Sequence, residues 1–341
     1  MRAFVAAAAL ATAFGAIAQP PESTFYHLVP GSLEPGRGPD GNSVFLDAPD
    51  GLILVDTGRH PAHRDRLLAY ARARGRPIAA IVNSHWHLDH STGNAEIRAA
   101  YPQAELYATT AIEGALAGFF PQSRAATERF LASGRATPEQ RAEIARGFAV
   151  MDNPVSLRPT RPVAASGEMT IAGRRLRVNV ARFAATEGDI WIHDPAARPD
   201  DQVSRAPPGS APSGGRGGLI IAGDLVVAPV PFMDTACPEG WRRALDEIAA
   251  TPFEILIPGH GEPMDRAAFL AWRRAFNALL DCGASERPKE ECVAGWRPDA
   301  ARFIPAGRAA MVSELAGYYV DSRLRSAPEE RQRHCRPLGG N

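Results

Sequence analysis

The run HWHLDH, at residues 85–90, is the feature that most constrains this chain. It places three imidazoles and a carboxylate, His85, His87, Asp89 and His90, within six residues, a density typical of metal sites rather than of a polar surface loop. In a tight loop leaving a strand, side chains two residues apart point the same way. We therefore expect His85 and His87 to bind one ion, while Asp89 and His90 face a second.

Apolar segments predict where this run and two further candidate ligands lie. A short strand ending at Val82 delivers the run, and two later apolar segments, at residues 219–221 and 255–257, lead into Asp224 and His260. Gly-Asp and Gly-His-Gly commonly serve turns. Their positions after predicted strands nevertheless favour Asp224 and His260 as ligands. Imidazole and carboxylate suit zinc, and we expect one or two Zn²⁺ ions ahead of iron or manganese.

The N-terminus has the pattern of a secretory signal peptide. Arg2 is followed by an apolar stretch to Ile17 and by a small residue, Ala18, where we expect cleavage. The alternatives are an N-terminal helix or a membrane anchor, but the stretch is shorter than the roughly 20 residues that a span needs. We expect a periplasmic or secreted protein without stable membrane insertion after loss of residues 1–18.

The charge balance argues against a polyanionic partner. The chain has 38 basic and 38 acidic residues and a formal net charge of zero, so no overall field favours nucleic acid or an anionic membrane surface. We expect a small-molecule substrate and no nucleic-acid partner. The sequence does not indicate an oligomeric state.

Four cysteines fit an oxidising compartment. The sequence permits three pairings, of which we favour Cys282 with Cys292, leaving Cys237 with Cys335. The alternative for Cys237 is metal binding.

The chain divides into a main domain, expected at residues 19–280, and a disulfide-linked C-terminal extension at residues 281–341. Within the main domain, residues 195–218 are too rich in Pro, Gly and Ser to bury a face, which predicts a flexible surface insertion.

The ordered motifs DTG at Asp56, HWHLDH at 85–90, GD at Asp224 and PGHG at His260 resemble the metallo-β-lactamase superfamily over roughly residues 40–265. The resemblance implies an α/β fold, an αββα sandwich of two mixed β-sheets flanked by helices, with metal along one edge. The WHLDH run followed by STGN is also similar to exported members associated with quinoprotein oxidation systems.

The resemblance also implies a role for each motif residue. His85 and His87 would bind the first zinc, and Asp224 would bridge both ions. The ligands implied for the second zinc are Asp89, His90 and His260. Asp56 would support these ligands without binding metal.

One residue departs from the family pattern. The family's third ligand of the first zinc is a histidine before a Thr-x-Gly-Asp turn, and here Ala185 occupies that position in AATEGD. The consequence is a single ion at the second site, a weakened dinuclear centre, or a substitute ligand. Glu187 is the candidate substitute, because in an extended chain it projects to the same side as Ala185. The alternative is an exposed turn glutamate.

These features predict a zinc-dependent hydrolase in which a metal-bound hydroxide attacks an ester, thioester, lactam or phosphodiester. Asp89 and Asp224 are the candidate catalytic residues, which would orient the water as well as bind metal. Trp86 is a candidate substrate contact or a packing residue. The alternative function is a non-hydrolytic metal- or ligand-binding protein of the same fold that lost catalysis with the histidine replaced by Ala185.

Overall fold

The computed structural model describes residues 26–34, 36–197 and 217–336 of the chain. The predicted signal peptide lies outside the described residues, as does most of the predicted insertion at 195–218. Within the described ranges, no helix has both the length and the apolar character needed to cross a membrane.

The first sheet contains six strands that follow one another in chain order among the described residues. They are β1 (His27–Val29), β2 (Ser43–Ala48), β3 (Gly51–Val55), β4 (Ile78–Val82), β5 (Glu105–Ala108) and β6 (Arg161–Pro162). The first three strands pair antiparallel, and β3 to β6 pair parallel. All of β3 is buried, as expected for a strand covered on both faces.

The second sheet runs in the order β12-β11-β10-β9-β8-β7. Its strands are β7 (Gly167–Ile171), β8 (Arg174–Arg182), β9 (Gly188–Asp194), β10 (Leu219–Val227), β11 (Ile255–His260) and β12 (Met264–Asp265). Strands β10 and β11 are parallel and the other pairs are antiparallel, so both sheets are mixed. The parallel pair brings the ends of β10 and β11 to one edge of the sheet.

Eleven α-helices occur in the described part of the chain. In chain order they are α1 (Pro61–Arg74), α2 (Leu88–Ser91), α3 (Asn94–Ala100), α4 (Ala111–Ala117), α5 (Phe119–Ala132), α6 (Pro138–Asp152), α7 (Pro238–Ala250), α8 (Arg266–Gly283), α9 (Lys289–Ala300), α10 (Ala309–Tyr319) and α11 (Pro328–Gln332). Helix α6 begins where its sequence predicts, because Pro138 follows Thr137, whose side chain forms a reciprocal capping box with Gln140.

Apolar side chains form layers on both faces of each sheet. Val82 of the first sheet and Ile221 of the second belong to the cluster between the sheets. Leu67 of α1 covers the outer face of the first sheet, and Trp241 and Trp272 of α7 and α8 cover that of the second. This is the predicted αββα sandwich.

The C-terminal segment packs into the same core as the second sheet. Trp296 and Val312 lie in one cluster with Trp272. Two disulfides tie the segment down, Cys282–Cys292 and Cys237–Cys335, in the pairing that we favoured. The boundary expected at residue 280 falls in the last turn of α8, and the division into domain and extension stays a prediction.

Candidate metal centre

The HWHLDH run leaves β4 through Asn83 and Ser84 and continues into the single turn of α2. Three buried hydrogen bonds fix this path: Asn83 Nδ2 and Thr57 N donate to the His90 carbonyl, at 3.2 and 2.8 Å, and Asn94 Nδ2 donates to Asn83 Oδ1 at 2.6 Å. The predicted tight loop therefore covers only residues 85–87. Asp89 and His90 lie on the helical turn, which aims them at the edge of the sandwich.

Three side chains, Asp89, His90 and His260, form what we term the Asp89 group. His260 Nε2 lies 3.1 Å from Asp89 Oδ2 and 3.2 Å from His90 Nε2. Asp224 Oδ1 lies 3.1 Å from His90 Nε2. Atoms of Asp89, His90 and His260 lie close enough together to hold one cation, and His90 and Asp224 form a second such set with His85.

His85 and His87 form what we term the His85 group. His85 Nε2 lies 2.9 Å from His87 Nδ1 and 3.7 Å from Asp224 Oδ2. The two oxygens of Asp224 thus face different groups, Oδ2 toward the His85 group and Oδ1 toward the Asp89 group. This is the position expected of a carboxylate that bridges two ions.

Proton positions show that the imidazoles present free nitrogens to the centre. Ser84 Oγ donates its proton to Asp56 Oδ2 at 2.6 Å, so it accepts the Nδ1–H of His85 at 3.0 Å. His90 Nδ1 lies 2.8 Å from Asp56 Oδ2 and donates to that carboxylate. In both rings Nδ1 is then the nitrogen that carries a proton toward its partner, and Nε2 is the inward-facing nitrogen that is available to a metal ion.

Thr235 fixes His87 in the same way. Its hydroxyl donates to the Ala185 carbonyl at 2.9 Å and therefore accepts the Nε2–H of His87 at 3.1 Å. The lone pair of His87 is left on Nδ1, which faces His85. The sequence analysis missed Thr235, which belongs to no motif and lies between β10 and α7.

Charge and burial affect the two groups differently. Burial lowers the pKa of His87 to about 4 and that of His85 well below its usual value, so both rings are neutral at pH 7. Burial also opposes a charge on His90, but the carboxylates of Asp224, Asp56 and Asp89 raise its pKa well above the ordinary value. The Asp89 group therefore favours a positive charge, which a metal ion supplies.

Asp224 itself has the features of a metal ligand. Its carboxylate is buried, and Oδ1 accepts no hydrogen bond of acceptable geometry, although His90 Nε2 is within reach. Burial would raise the pKa of Asp224, but His90, His260 and His85 hold it well below the usual range. An ionised, buried oxygen without a hydrogen-bond donor fits a metal ligand.

Asp56 and the chain around it support the Asp89 group. Asp56 accepts from the Ser84 amide at 2.7 Å and from the His90 ring, and so lies behind the ligands, where the resemblance placed it. Asn42 Nδ2 donates to the carbonyls of Pro258 and Gly261, at 2.9 and 2.8 Å, and holds the loop that carries His260. Asn42 was not identified from the sequence.

The region of the absent histidine is closed by a tight turn. Phe183 N donates to the Glu187 carbonyl at 3.1 Å and Ala184 N to that of Thr186 at 2.8 Å, so the extended chain on which the Glu187 hypothesis depended is not formed. No cluster of potential ligands among the described residues includes Glu187. Ala185 is buried.

Two other expectations are settled by covalent bonding and by packing. Cys237 is not a metal ligand, because its sulfur is bonded to Cys335. Trp86 is buried and packs edge-on against Phe120, with ring centroids 5.4 Å apart. Of the two roles considered for Trp86, substrate contact or packing, this geometry fits packing.

A cleft of about 800 Å³ leads from the candidate ligands along the protein. Asp89, Asp224 and His260 line its inner end, and Arg59 lies beside them with Nη2 3.7 Å from Asp89 Oδ1. Helices α5, α6 and α10 each contribute apolar side chains to the rest of the lining, among them Phe119, Phe148 and Leu315. The metal centre is therefore open to ligands of substantial size.

Comparison with known proteins gives a family and a fold. Residues 36–148 match the profile described as Metallo-beta-lactamase superfamily. A linear primary-alkylsulfatase of Pseudomonas sp. (strain ATCC 19151) is 24% identical over 241 residues, covering 64% of this chain and 41% of that protein. The chain thus spans less than half the length of this curated relative.

Two solved structures share the fold. The stereoselective inverting sec-alkylsulfatase from Pseudomonas sp. has 17% identity and a TM-score of 0.52, with 82% of this chain and 47% of that chain covered. A double mutant of a sec-alkylsulfatase gives 16% identity and a TM-score of 0.54 over the same shares of the two chains. The similarity to quinoprotein-associated members stays a prediction.

Proposed function

Because residues 36–148 belong to the metallo-β-lactamase superfamily, we propose that this chain is a metal-dependent hydrolase. The observation that carries the proposal is the position of Asp224. Its two carboxylate oxygens face separate sets of imidazole and carboxylate atoms at the inner end of one open cleft.

Zinc is the proposed metal, with one or two ions per chain. Three imidazoles whose free nitrogens point inward, together with ionised Asp89 and Asp224, form a donor set typical of zinc, and iron and manganese are weaker candidates. When bound, the metal lowers the pKa of a coordinated water and polarises the scissile group.

The chain's own residues position the reactants. Asp89 and Asp224 are ionised, since His90 and other histidines hold their pKa values well below the usual range even though burial opposes this, and their oxygens accept hydrogen bonds from an attacking water. Arg59 is beside Asp89 and limits its movement. His260 is the most exposed of the imidazoles at the centre, which places it at the contact between ligands and substrate.

The proposed substrates are small molecules with an ester, thioester, lactam or phosphodiester bond. The names of the similar proteins, which are alkylsulfatases, add sulfate esters to this set. No part of the proposal requires a nucleic-acid partner.

Export to the periplasm or the medium is the proposed location. The two disulfides, Cys237–Cys335 and Cys282–Cys292, are typical of proteins from oxidising compartments. The signal-peptide pattern at residues 1–18 supports the same location.

Metal analysis combined with a substrate screen tests the proposal. Disulfide-intact protein purified without chelator should contain one or two zinc ions per chain by mass spectrometry. It should hydrolyse at least one member of an ester, thioester, lactam, phosphodiester and sulfate-ester panel. A chelator should abolish the activity and zinc should restore it. Protein that binds no metal, even with zinc supplied, would overturn the proposal.

A matched pair of variants makes the test specific. Asp224→Asn should lose metal and activity, whereas Asp246→Asn, a surface carboxylate on α7 that is 61% exposed, should retain both. Equal behaviour of the two variants would show that Asp224 has no special role.

A non-hydrolytic metal-binding protein is the second candidate function. The observation that favours it is the Thr235 hydroxyl, which joins His87 to the Ala185 carbonyl where the family pattern places a third histidine. Ala185→His discriminates between the two candidates. A dormant enzyme should gain both metal and turnover, whereas a binding protein should gain metal only.

A further inference from the structure

The cleft beside the metal centre has two apolar walls made by helices far apart in the sequence. On α6, Ile144, Phe148 and Met151 follow the spacing of one helix face, and all three line the cleft. No residue of α6 is fully buried, although Met151 packs in part against a neighbouring apolar cluster and the Arg124 guanidinium lies 4.2 Å from the centroid of the Phe148 ring.

The opposite wall comes from α10 in the C-terminal segment. Met311, Leu315 and Tyr319 repeat at intervals of four residues and line the same cleft. Val312 and Ala316, on the other face of α10, are buried in the core of the second sheet. Tyr319 is buried in the same core and Met311 and Leu315 pack partly against it, so this cleft wall adjoins the surface by which α10 packs against the sandwich.

Both walls are fixed in place. The helix face on α6 begins beside Glu143, which lies 3.1 Å from His60 Nε2 and 3.6 Å from the Arg59 guanidinium. Arg308, at the start of α10, donates to the Leu33 carbonyl across the cleft entrance. The cleft is therefore preformed, as is usual for small-molecule sites.

Polarity in the cleft is distributed unevenly. The lining includes the candidate metal ligands Asp89, Asp224 and His260 and charged groups beside the helices such as Glu143 and Arg308, whereas Phe148 and Leu315 represent the apolar walls. Its volume of about 800 Å³ is within the range of sites that enclose most of a ligand. A compact polar substrate would occupy the inner end and leave both walls in contact with water.

We propose that the substrate is an amphiphile whose hydrolysable head group lies at the metal centre and whose apolar chain lies between α6 and α10. The proposal rests on the hydrolase function for the head group. This arrangement also gives the C-terminal segment a role, since α10 supplies one of the two walls that contact the apolar chain of the substrate.

Binding of the chain can be measured without turnover. The probes are saturated alkanoates from hexanoate to dodecanoate, titrated calorimetrically into the full disulfide-intact protein below their micelle concentrations. Each added methylene should tighten binding by about fourfold until the cleft is filled, as expected for burial of a CH₂ group. Affinity independent of chain length would overturn the proposal.

Charged substitutions on each wall locate the binding site. Phe148→Arg and Leu315→Arg should each weaken dodecanoate binding by on the order of tenfold or more, because a guanidinium in the walls opposes an apolar chain. Val155→Arg is the matched control, since Val155 is 64% exposed and does not line the cleft. Met311→Ser, a milder change, replaces Leu315→Arg if that variant does not fold. Equal binding by control and wall variants would place the alkanoate elsewhere and overturn the proposal.

Turnover separates failure of this proposal from failure of the hydrolase proposal. With p-nitrophenyl esters from acetate to decanoate, kcat/KM should rise with chain length, and the wall variants should flatten that rise. Hydrolysis without chain-length dependence would overturn the amphiphile proposal and leave the hydrolase. Chain-length-dependent alkanoate binding without hydrolysis of any ester would support the apolar site and count against the hydrolase.

Discussion

The Asp89 group and the His85 group share Asp224 but differ in what completes them. The Asp89 group has three side chains besides Asp224, which makes four protein ligands. The His85 group has two, and Thr235 joins the outer nitrogen of His87 to the carbonyl of Ala185, the position at which the family pattern has a histidine. Four ligands close a tetrahedron, whereas three leave a position open to water or substrate. We therefore expect one tightly held ion and one weakly held ion.

The surrounding charges strengthen the same contrast. Asp56 hydrogen-bonds His90, and three carboxylates raise the pKa of that ring, so a cation is favoured there. Burial also acts on His85 and His87, but the nearby carboxylates offset it less, so the pKa values of both rings are lowered. The protein therefore stabilises positive charge more strongly at the Asp89 group.

The largest expected effect follows from changing the residue that the groups share. Asp224→Asn removes the charge that faces both groups, so metal content should fall below one ion per chain. Hydrolysis should fall by on the order of 10³-fold, since bound metal contributes several kcal/mol to catalysis. Metal analysis and steady-state kinetics measure both effects. Retention of one ion would show that each group binds metal without the bridge.

A paired comparison of His260→Ala and His87→Ala tests the difference in affinity directly. His260→Ala should remove the tightly held ion, with a loss greater than the roughly 10–100-fold typical of an outer partner. His87→Ala should retain that ion and lose only the weak site. Competition with a chromogenic chelator gives both affinities. Loss of the tightly held ion in His87→Ala would show that the His85 group, and not the Asp89 group, holds that ion.

The two halves of the centre also differ in how far the sequence reveals them. The residues of the Asp89 group can be identified from the sequence because they lie in short motifs that follow strands. The order of these motifs carries the family resemblance, which implies the sandwich as well. Thr235 is not readable, because it meets His87 across 148 residues through a loop without a motif. The extended chain from which the Glu187 hypothesis was argued was wrong for a local reason, since the sequence does not show that residues 183–187 turn rather than extend.

Asp56→Asn tests the support behind His90. The amide is a weaker hydrogen-bond acceptor than the carboxylate and does not stabilise positive charge on His90, so the affinity of the tight site should fall by about 10–100-fold. The weak site should change less. Asp65→Asn is the matched control, because the Asp65 side chain is 64% exposed and pairs with its neighbour Arg64. Chelator competition measures all three proteins.

The pH dependence of stability tests the charged groups around Arg59, whose guanidinium lies beside both Glu143 and Asp89. Asp40 and Glu143 raise the pKa of His60, and His60 and Arg59 lower that of Glu143 although burial opposes this. The His60 contribution is complete below the unfolded pKa of 6.5 and is lost as pH rises through the raised folded pKa. The Glu143 contribution is present above 4.5 and is lost as pH falls through its lowered folded pKa.

Both contributions are therefore complete between the two unfolded values, 4.5 and 6.5. In that window His60→Ala should reduce the free energy of unfolding by about 2 kcal/mol, as for hydrogen bonds to charged groups. The difference from the unsubstituted protein should shrink above neutral pH. Urea unfolding across pH 4 to 9 measures it. A difference that grows with rising pH would show that His60 is neutral in the folded protein.

The smallest expected effect concerns the His85 group, where we expect metal to be held more weakly. Thr235→Val removes the acceptor that fixes the Nε2–H of His87, so the ring loses its preferred tautomer and the weak site should lose less than about tenfold in affinity. Thr235→Ser keeps the hydroxyl and should bind metal as the unsubstituted protein does. The tight site should be unchanged in both variants, because Thr235 contacts His87 and not the Asp89 group. If Thr235→Val instead strengthened metal binding at the His85 group, the Thr235 hydroxyl would be competing with a metal ligand at His87. The open coordination position of the His85 group would then be a consequence of Thr235 as much as of Ala185.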